Sequence, residues 1–534
     1  MDSESLVTIT AAQSASSVAA GAEQTWHRHI IALLPIAALY LALGFYQIDD
    51  QSLWTDEVIS VNRIASGEPI STRIISQSPL YFFLLDLWGE TVGMTEFALR
   101  SLSALLGLVA LGLTYAIGLL VFSRRTALIA TVLLATSPYF IWYAQEIRYV
   151  TLLLVTSLAM TVSFYRALTS RGSRWWWLYG ATSALALFTF LTSVFLVLAH
   201  GLYILFHATY RPWLKRWAAS QLIIVSVFAL WFAVRTAHRF EAIVSNRPTV
   251  VSSEQVRSRE TLPITDILGI IPYTFFAFSV GFSIGPSLQE LHEARSINAL
   301  LNYGHMLVPV AVLFASLFII GLNRLSRHSD ASWFLFLWLG VPIIGAFAVA
   351  SMTTYHVYNT RYVALALPAY LIILAAGLTS IRRAPVQIAL FVGLLFVNGI
   401  SLYNYYFDHR YARADARAAA QYLASAARPG DVILTVGNPI ALQYYYGGGL
   451  PIVSLNPNRN EAEVSEMLRQ LVRRDNRLWL VEIRRWETDP NSTVRAFLDG
   501  SGRRRERNEF PGVDVYSYAV SVSSPRQVSP PGNH

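Results

Sequence analysis

Apolar and polar positions alternate along this chain in long blocks. Apolar runs recur at roughly 30–47, 100–121, 126–143, 149–167, 176–191, 193–210, 216–235, 301–322, 332–351, 362–380 and 385–404. About twenty apolar residues in a helix cross the ~30 Å hydrocarbon core of a bilayer. The pattern therefore predicts a polytopic all-α membrane protein with about eleven transmembrane helices. Two further apolar segments do not fit as crossings. Residues 78–92 are short and contain Asp86, and 264–286 must begin and end on one side. The first is expected along the interface, the second there or as a re-entrant segment; the physics of the bilayer permits both.

The pattern changes after residue 405. Strand-like runs at 432–436, 451–455 and 477–483 alternate with helical stretches at 414–428 and 460–474. This reads as a small α/β domain with a partly parallel sheet over 406–520. Residues 521–534 read as a disordered tail by composition. Residues 1–29 read as a disordered cytoplasmic tail, without the basic start of a cleaved signal peptide.

Composition sharpens the picture. The chain is 54% hydrophobic and 14% charged, against about 25% charged in soluble domains. The net charge of +8 is carried by arginine, with Lys215 the sole lysine. Nucleic acid is not the expected partner, because the basic residues sit in short loops: Arg124-Arg125; Arg166, Arg171 and Arg174; Arg211, Lys215 and Arg216; Arg324 and Arg327; Arg382-Arg383. These loops belong on the cytoplasmic side. Loops 48–99 and 236–300, the turn at Tyr143–Tyr149 and the α/β domain then face outward. The absence of cysteine excludes disulfides, thiolate metal sites and cysteine nucleophiles.

Acidic residues gather on that outer side. Asp56 and Glu57, in "LWTDEVIS", follow the first membrane helix. They can be ordinary first-turn charges of a helix, and adjacent helical side chains diverge by about 100°. A carboxylate at a low-dielectric boundary can equally serve as a general base. Glu146 and Arg148 share the short turn "YAQEIRY". They either hold that turn or present a guanidinium fork to a lipid phosphate. Arg361 opens a later helix on the same side, just after Tyr355 and His356.

Several motifs resemble the GT-C membrane glycosyltransferases, and most of all the bacterial branch of glycosyltransferase family 39. That branch is related to protein O-mannosyltransferases and lipid A aminoarabinose transferases. The motifs are "LWTDEVIS", "QSPLYFFLLDLWGETVGMTEFALRSLSALLG", "SPYFIWYAQEIRYVTLLL", "VGFSIGPSLQELHEA" (280–294) and "NTRYVALALPAY" (359–370). The resemblance spans roughly residues 30–405. It implies an inverting transfer of a hexosyl or pentosyl group from a polyprenyl-phosphate donor to a glycolipid, glycan or protein hydroxyl. Asp56 matches the catalytic aspartate, with Glu57 and Glu146 orienting the sugar or acceptor. Arg148 and Arg361 would stabilise the phosphate leaving group, and Gln145, Tyr149 and Tyr355 complete the donor site. Relatives carry a basic residue where this chain has Gln77. The resemblance implies no required cofactor, and the Asp56-Glu57 pair is the place where a divalent metal could bind. The implied place is a bacterial inner membrane, N-terminus cytoplasmic and C-terminal domain extracytoplasmic. The rival readings are a lipid-linked sugar flippase or transporter and a cell-surface polysaccharide polymerase or ligase. Mid-span acidic residues, usual in ion-coupled carriers, are missing from these spans.

Overall fold

The structure, a computed structural model, describes residues 27–67, 77–170, 172–244, 269–287, 289–291, 301–325, 329–352, 358–456, 461–472, 477–501 and 503–519. The tails at 1–26 and 520–534 lie outside the described residues. The helices are α1 (His27–Phe45), α2 (Thr55–Ala65), α3 (Pro79–Val92), α4 (Glu96–Val121), α5 (Arg124–Ala135), α6 (Pro138–Ala144), α7 (Val150–Thr169), α8 (Ser173–Thr189), α9 (Ser193–Phe206), α10 (Leu214–Val244), α11 (Ile270–Val280), α12 (Gly304–Leu325) and α13 (Ser329–Met352). A 3-10 turn at Thr360–Ala366 then runs into α14 (Leu367–Ser380), followed by α15 (Ala384–Phe407).

Each of the eleven predicted runs is helical. Among the described residues eight helices are long and apolar enough to span a bilayer, or nine if α5 and α6 count as one broken span. The bend between them is 57°, at Thr136-Ser137-Pro138, where proline disfavours helix in the residue before it and Ser137 caps the new helix through Phe140 N. Helices α8 and α9 have 17 and 14 residues. At 1.5 Å per residue they fall short of the ~30 Å core, so two predicted crossings are shorter than expected. The 360–380 segment lies at the centre of the bundle, 89% buried, whereas α1 and α12 are mostly exposed at its periphery.

The two segments that did not fit as crossings are short helices. Helix α3 has 14 residues with Phe83 and Leu87 exposed, and α11 has 11. After α11 the chain turns at Gly281 (φ +70°), where a Cβ would come within 2.9 Å of Pro138 Cβ and 3.0 Å of Tyr139 N. Only glycine lets this backbone press into the bend of the broken span.

The described basic turns gather at one end of the bundle. Arg125 donates to Gln387 (2.6 Å) and Arg324 to Thr379 (3.2 Å). The acidic motif sits at the other end, with the C-terminal region. There α16 (Ala416–Ala426), β1 (Val432–Gly437), α17 (Ile440–Tyr445), β2 (Ile452–Leu455), α18 (Glu461–Val472), β3 (Arg477–Ile483), α19 (Thr493–Ser501), β4 (Arg503–Phe510) and β5 (Val513–Ala519) form a mixed sheet of order β2-β1-β3-β5-β4. Strands β1, β2 and β3 pair in parallel; β3–β5 and β5–β4 are antiparallel. Alternate side chains of β3 serve two cores. Leu478 and Leu480 pack with Val464, Leu468, Val494 and Leu498, while Trp479, Val481 and Ile483 pack with Ala419, Leu423 and Leu442. This is the period-two partition expected of a strand buried on both faces.

The carboxyl ends of β1 and β3 are pinned together. Gly437 has φ +99°, and a Cβ there would lie 1.5 Å from the Ile483 carbonyl oxygen. Gly437→Ala combines a clash with a forbidden conformation, a mechanism that costs several kcal/mol, above the typical ~1 kcal/mol of a point change. It should loosen the α/β domain and make 416–519 protease-sensitive at temperatures where the native protein resists. Unchanged proteolysis would count against this packing.

Candidate active site

The site is built outward from the start of α2. The Glu57 carboxylate is wholly enclosed. Arg100 of α4 donates to it twice, Nε to Oε1 at 3.0 Å and Nη2 to Oε2 at 2.9 Å. Arg413, in the linker before the α/β domain, donates to Oε2 at 3.1 Å, and the Ile147 backbone N–H to Oε1 at 2.9 Å. Burial alone would raise this carboxyl; the Arg100 and Arg413 charges and the hydrogen bonds outweigh it and hold it below the usual range. Glu57 thus joins four separate pieces of chain. It is a brace, and the expectation that it orients a sugar or acceptor is corrected: its acceptor capacity is engaged by protein donors.

Asp56, the next residue, points elsewhere, as the helical turn requires. Its Oδ2 lies 2.7 Å from Arg361 Nη1 and 3.4 Å from Arg148 Nη2. Arg361 is positioned by the 3-10 turn, which Asn359 caps through Arg361 N (3.1 Å), and its guanidinium lies 5.7 Å from the Trp54 ring centre. Arg148 comes from the 145–149 turn, whose backbone Ser103 Oγ ties to α4 by donating to Glu146 O (2.6 Å).

In that turn Gln145 and Glu146 part company. Gln145 Nε2 donates to the carbonyls of Gly44 (3.1 Å) and Tyr46 (2.8 Å), and Oε1 accepts from Tyr405 (2.8 Å). It satisfies carbonyls left open at the end of α1, so its expected place among the donor contacts is corrected. Glu146 Oε1 accepts from Arg413 Nη2 at 3.1 Å, while Oε2 is buried with no hydrogen-bond partner among the described residues. Burial pushes this carboxyl up, Glu57 adds to the rise, and the Arg413 charge opposes it; the result is about 7. Tyr149 stacks on Phe190 with ring centres 4.3 Å apart, and the Arg148 guanidinium stands 5.4 Å from the Tyr149 ring. Tyr355 lies outside the described residues. Gln77 is exposed ahead of α3.

A cavity of about 710 Å³ opens over this cluster, lined by Glu146, Arg361, Arg413 and the aromatic rings of Trp54, Trp142 and Tyr143. Residues of the α/β domain complete its wall. Asp56 and Arg148 are not among the described lining residues; Arg361 links them to it. Asp56 and Glu57 diverge, and no group of three His, Cys, Asp or Glu suited to a metal ion occurs among the described residues.

Two members of the cluster went unread in the sequence. Arg100, at the head of a predicted span, carried a signal: a charged residue in a membrane helix demands a buried partner. Arg413, more than 250 residues from either of its carboxylates, carried none.

The comparisons agree with this architecture. Residues 76–234 match the family model described as dolichyl-phosphate-mannose-protein mannosyltransferase. A comparison with curated proteins finds no match. Among solved structures, ArnT from Cupriavidus metallidurans in the apo state is 14% identical with a TM-score of 0.56, over 95% of this chain and 100% of that one. The same protein bound to undecaprenyl phosphate gives 14% and 0.54, over 92% and 99%. AglB from Archaeoglobus fulgidus, with an inhibitory peptide and a dolichol-phosphate, gives 12% and 0.48, over 94% and 75%. The chain has the GT-C fold, and the resemblance carried by its motifs stands.

The Glu146 environment predicts a pH signature. The folded carboxyl titrates near 7 against an ordinary 4.5, so the folded protein holds a proton that the unfolded chain has lost. Its contribution to stability is present below about 4.5 and is lost as pH rises towards 7. Glu146→Gln cannot ionise. It should melt several degrees above the native protein at pH 8 and together with it at pH 5. A difference independent of pH would contradict the assignment.

Proposed function

From the GT-C fold and the Asp56–Arg148–Arg361 cluster beside an aromatic-lined cavity, we propose that the protein is an inverting membrane glycosyltransferase. It moves a sugar from a polyprenyl-phosphate-linked donor to a hydroxyl acceptor on the extracytoplasmic face, with the basic turns in the cytoplasm of a bacterial plasma membrane. One observation carries the reading: a single carboxylate oxygen shared by two guanidinium groups at the edge of the cavity. That ArnT is described bound to undecaprenyl phosphate supports a polyprenyl-phosphate donor.

In the resting arrangement Asp56 is the counter-ion that keeps Arg148 and Arg361 aligned. A carboxylate oxygen gripped by two cations accepts a proton poorly. The donor phosphate competes for the same guanidinium forks, which suit phosphate geometry. Once they turn to phosphate, Asp56 Oδ2 is released from both guanidinium groups. The acceptor oxygen then attacks the anomeric carbon from the face opposite the phosphate and the C–O bond to phosphate breaks. Asp56 takes the hydroxyl proton, and the arginines hold the charge that develops on the departing phosphate. Opposite-face attack inverts the centre, by the logic of inverting glycoside hydrolysis. Glu146, which lines the cavity and whose Oε2 has no hydrogen-bond partner among the described residues, hydrogen-bonds a sugar or acceptor hydroxyl.

Asp56→Asn should lower transfer in membrane vesicles by roughly 10²- to 10⁴-fold with normal folding. Arg361→Lys keeps the charge but not the fork, and should cost roughly 10²-fold in turnover. Deleting the gene should remove one sugar from the cell envelope while its polyprenyl-phosphate carrier accumulates. An Asp56→Asn protein retaining more than a tenth of native transfer would end this reading.

A further inference from the structure

The cavity has a second wall, which the transfer chemistry does not use. Arg484 and Trp486, immediately after β3, line it together with Gly512 of the β4–β5 turn. The α/β domain therefore presents the carboxyl end of its parallel strands to the membrane module. In open α/β sheets that edge is where ligands bind. The backbone there is strained: Arg484 adopts φ 50°, ψ 46°, the left-handed region uncommon for side-chain-bearing residues. Gly437 makes that geometry possible by running against Ile483 and Arg484 with no Cβ, and its N–H donates to Thr488 Oγ1 at 2.8 Å. Such strain persists where the surroundings over-determine it, and it concentrates at binding sites.

The chemistry of this wall is specific. Among the described residues Arg484 has Glu487 as its ion-pair partner, at 2.7 Å, and its guanidinium lies 5.9 Å from the Trp486 ring centre. Trp54 also lines the cavity, and its buried Nε1–H has no hydrogen-bond partner among the described residues. The wall thus pairs a planar cation suited to phosphate or carboxylate with an indole face suited to the C–H face of a sugar ring. The volume, about 710 Å³, falls within the ~300–1,000 Å³ of small-ligand pockets.

Resting on the glycosyltransferase reading, we propose that Arg484 and Trp486 form the acceptor subsite, for a sugar bearing a phosphate or carboxylate. The domain then has a function: it carries part of the acceptor's binding surface.

The test reads binding directly, so it does not depend on turnover. Purified full-length protein in nanodiscs, native and Asp56→Asn, is titrated calorimetrically with glucose 1-phosphate, glucuronate, glucose and inorganic phosphate. Both forms should bind at least one anionic sugar, roughly tenfold or more tighter than glucose. The arm that binds more tightly, glucose 1-phosphate or glucuronate, identifies the anion. Arg484→Gln should weaken that binding roughly tenfold. Trp486→Ala should erase the preference for the sugar phosphate or uronate over inorganic phosphate. Glu487→Gln, which releases Arg484, should tighten binding, and this guards against misfolding of the Arg484 variant. Arg148→Gln should leave the binding in place. Equal affinity for glucose overturns the proposal, as does indifference to the Arg484 and Glu487 changes. Loss in Arg148→Gln alone places the anion on the donor side, so that the acceptor proposal fails while the donor reading stands. Binding as expected in a protein with no transferase activity would instead retain the subsite and remove the enzyme.

Discussion

The structure depends on the enclosure of Glu57. A bare carboxylate in that position would be untenable; with Arg100, Arg413 and the Ile147 N–H around it, it fixes four chain segments at one point. Arg100 extends the network by donating to the carbonyls of Ile48 (2.8 Å) and Gln51 (2.9 Å), which tethers the exit of α1. Removing one member of such a buried set costs about 3–5 kcal/mol, a large part of the stability of a typical domain. The gain is in geometry more than in net stability, because each partner had to be desolvated.

That brace also registers the two modules. Arg413 reaches it from the linker, and the docking continues nearby: Ser52 Oγ donates to Asp415 (2.6 Å), Tyr445 OH accepts from Leu53 N (2.8 Å), and Arg417 pairs with Glu96 (2.6 Å). The α/β domain is thereby held over the cavity. Because Arg413 touches Glu57 and Glu146 at once, one guanidinium couples the brace to the cavity carboxylate.

Much of the fold was legible because its signals are local. A bilayer demands about twenty apolar residues per crossing, and eleven runs announced eleven helices. What failed was length, since α8 and α9 stop at Thr189 and Phe206; composition does not register where a helix ends inside an apolar run. The divergence of Asp56 and Glu57 was also legible, following from helical pitch alone. Their division of labour was not. Which of two adjacent acids is enclosed is decided by Arg100, 43 residues on, and Arg413, 356 residues on, and no local pattern encodes those contacts. Gln145 misled for the same reason: a turn polar enough to bind a ligand is also polar enough to tie off a helix end, and Tyr405, 260 residues away, settles the choice.

Charge balance within the cluster gives the last step. Among the described residues, Arg100, Arg148, Arg361 and Arg413 interlock with Asp56, Glu57 and Glu146, and Arg100 also faces Glu96 at 4.0 Å. A buried cation is costly unless an anion neutralises it. The two arginines that meet on Asp56 offer the forks that an anion could take. In the proposed reaction a donor phosphate adds negative charge beside Glu146, which favours its protonated form and keeps a hydrogen-bond donor in the cavity. Arg148 and Arg361, once turned to the phosphate, hold the charge it gains in that reaction, so little reorganisation is needed at the moment the bond breaks.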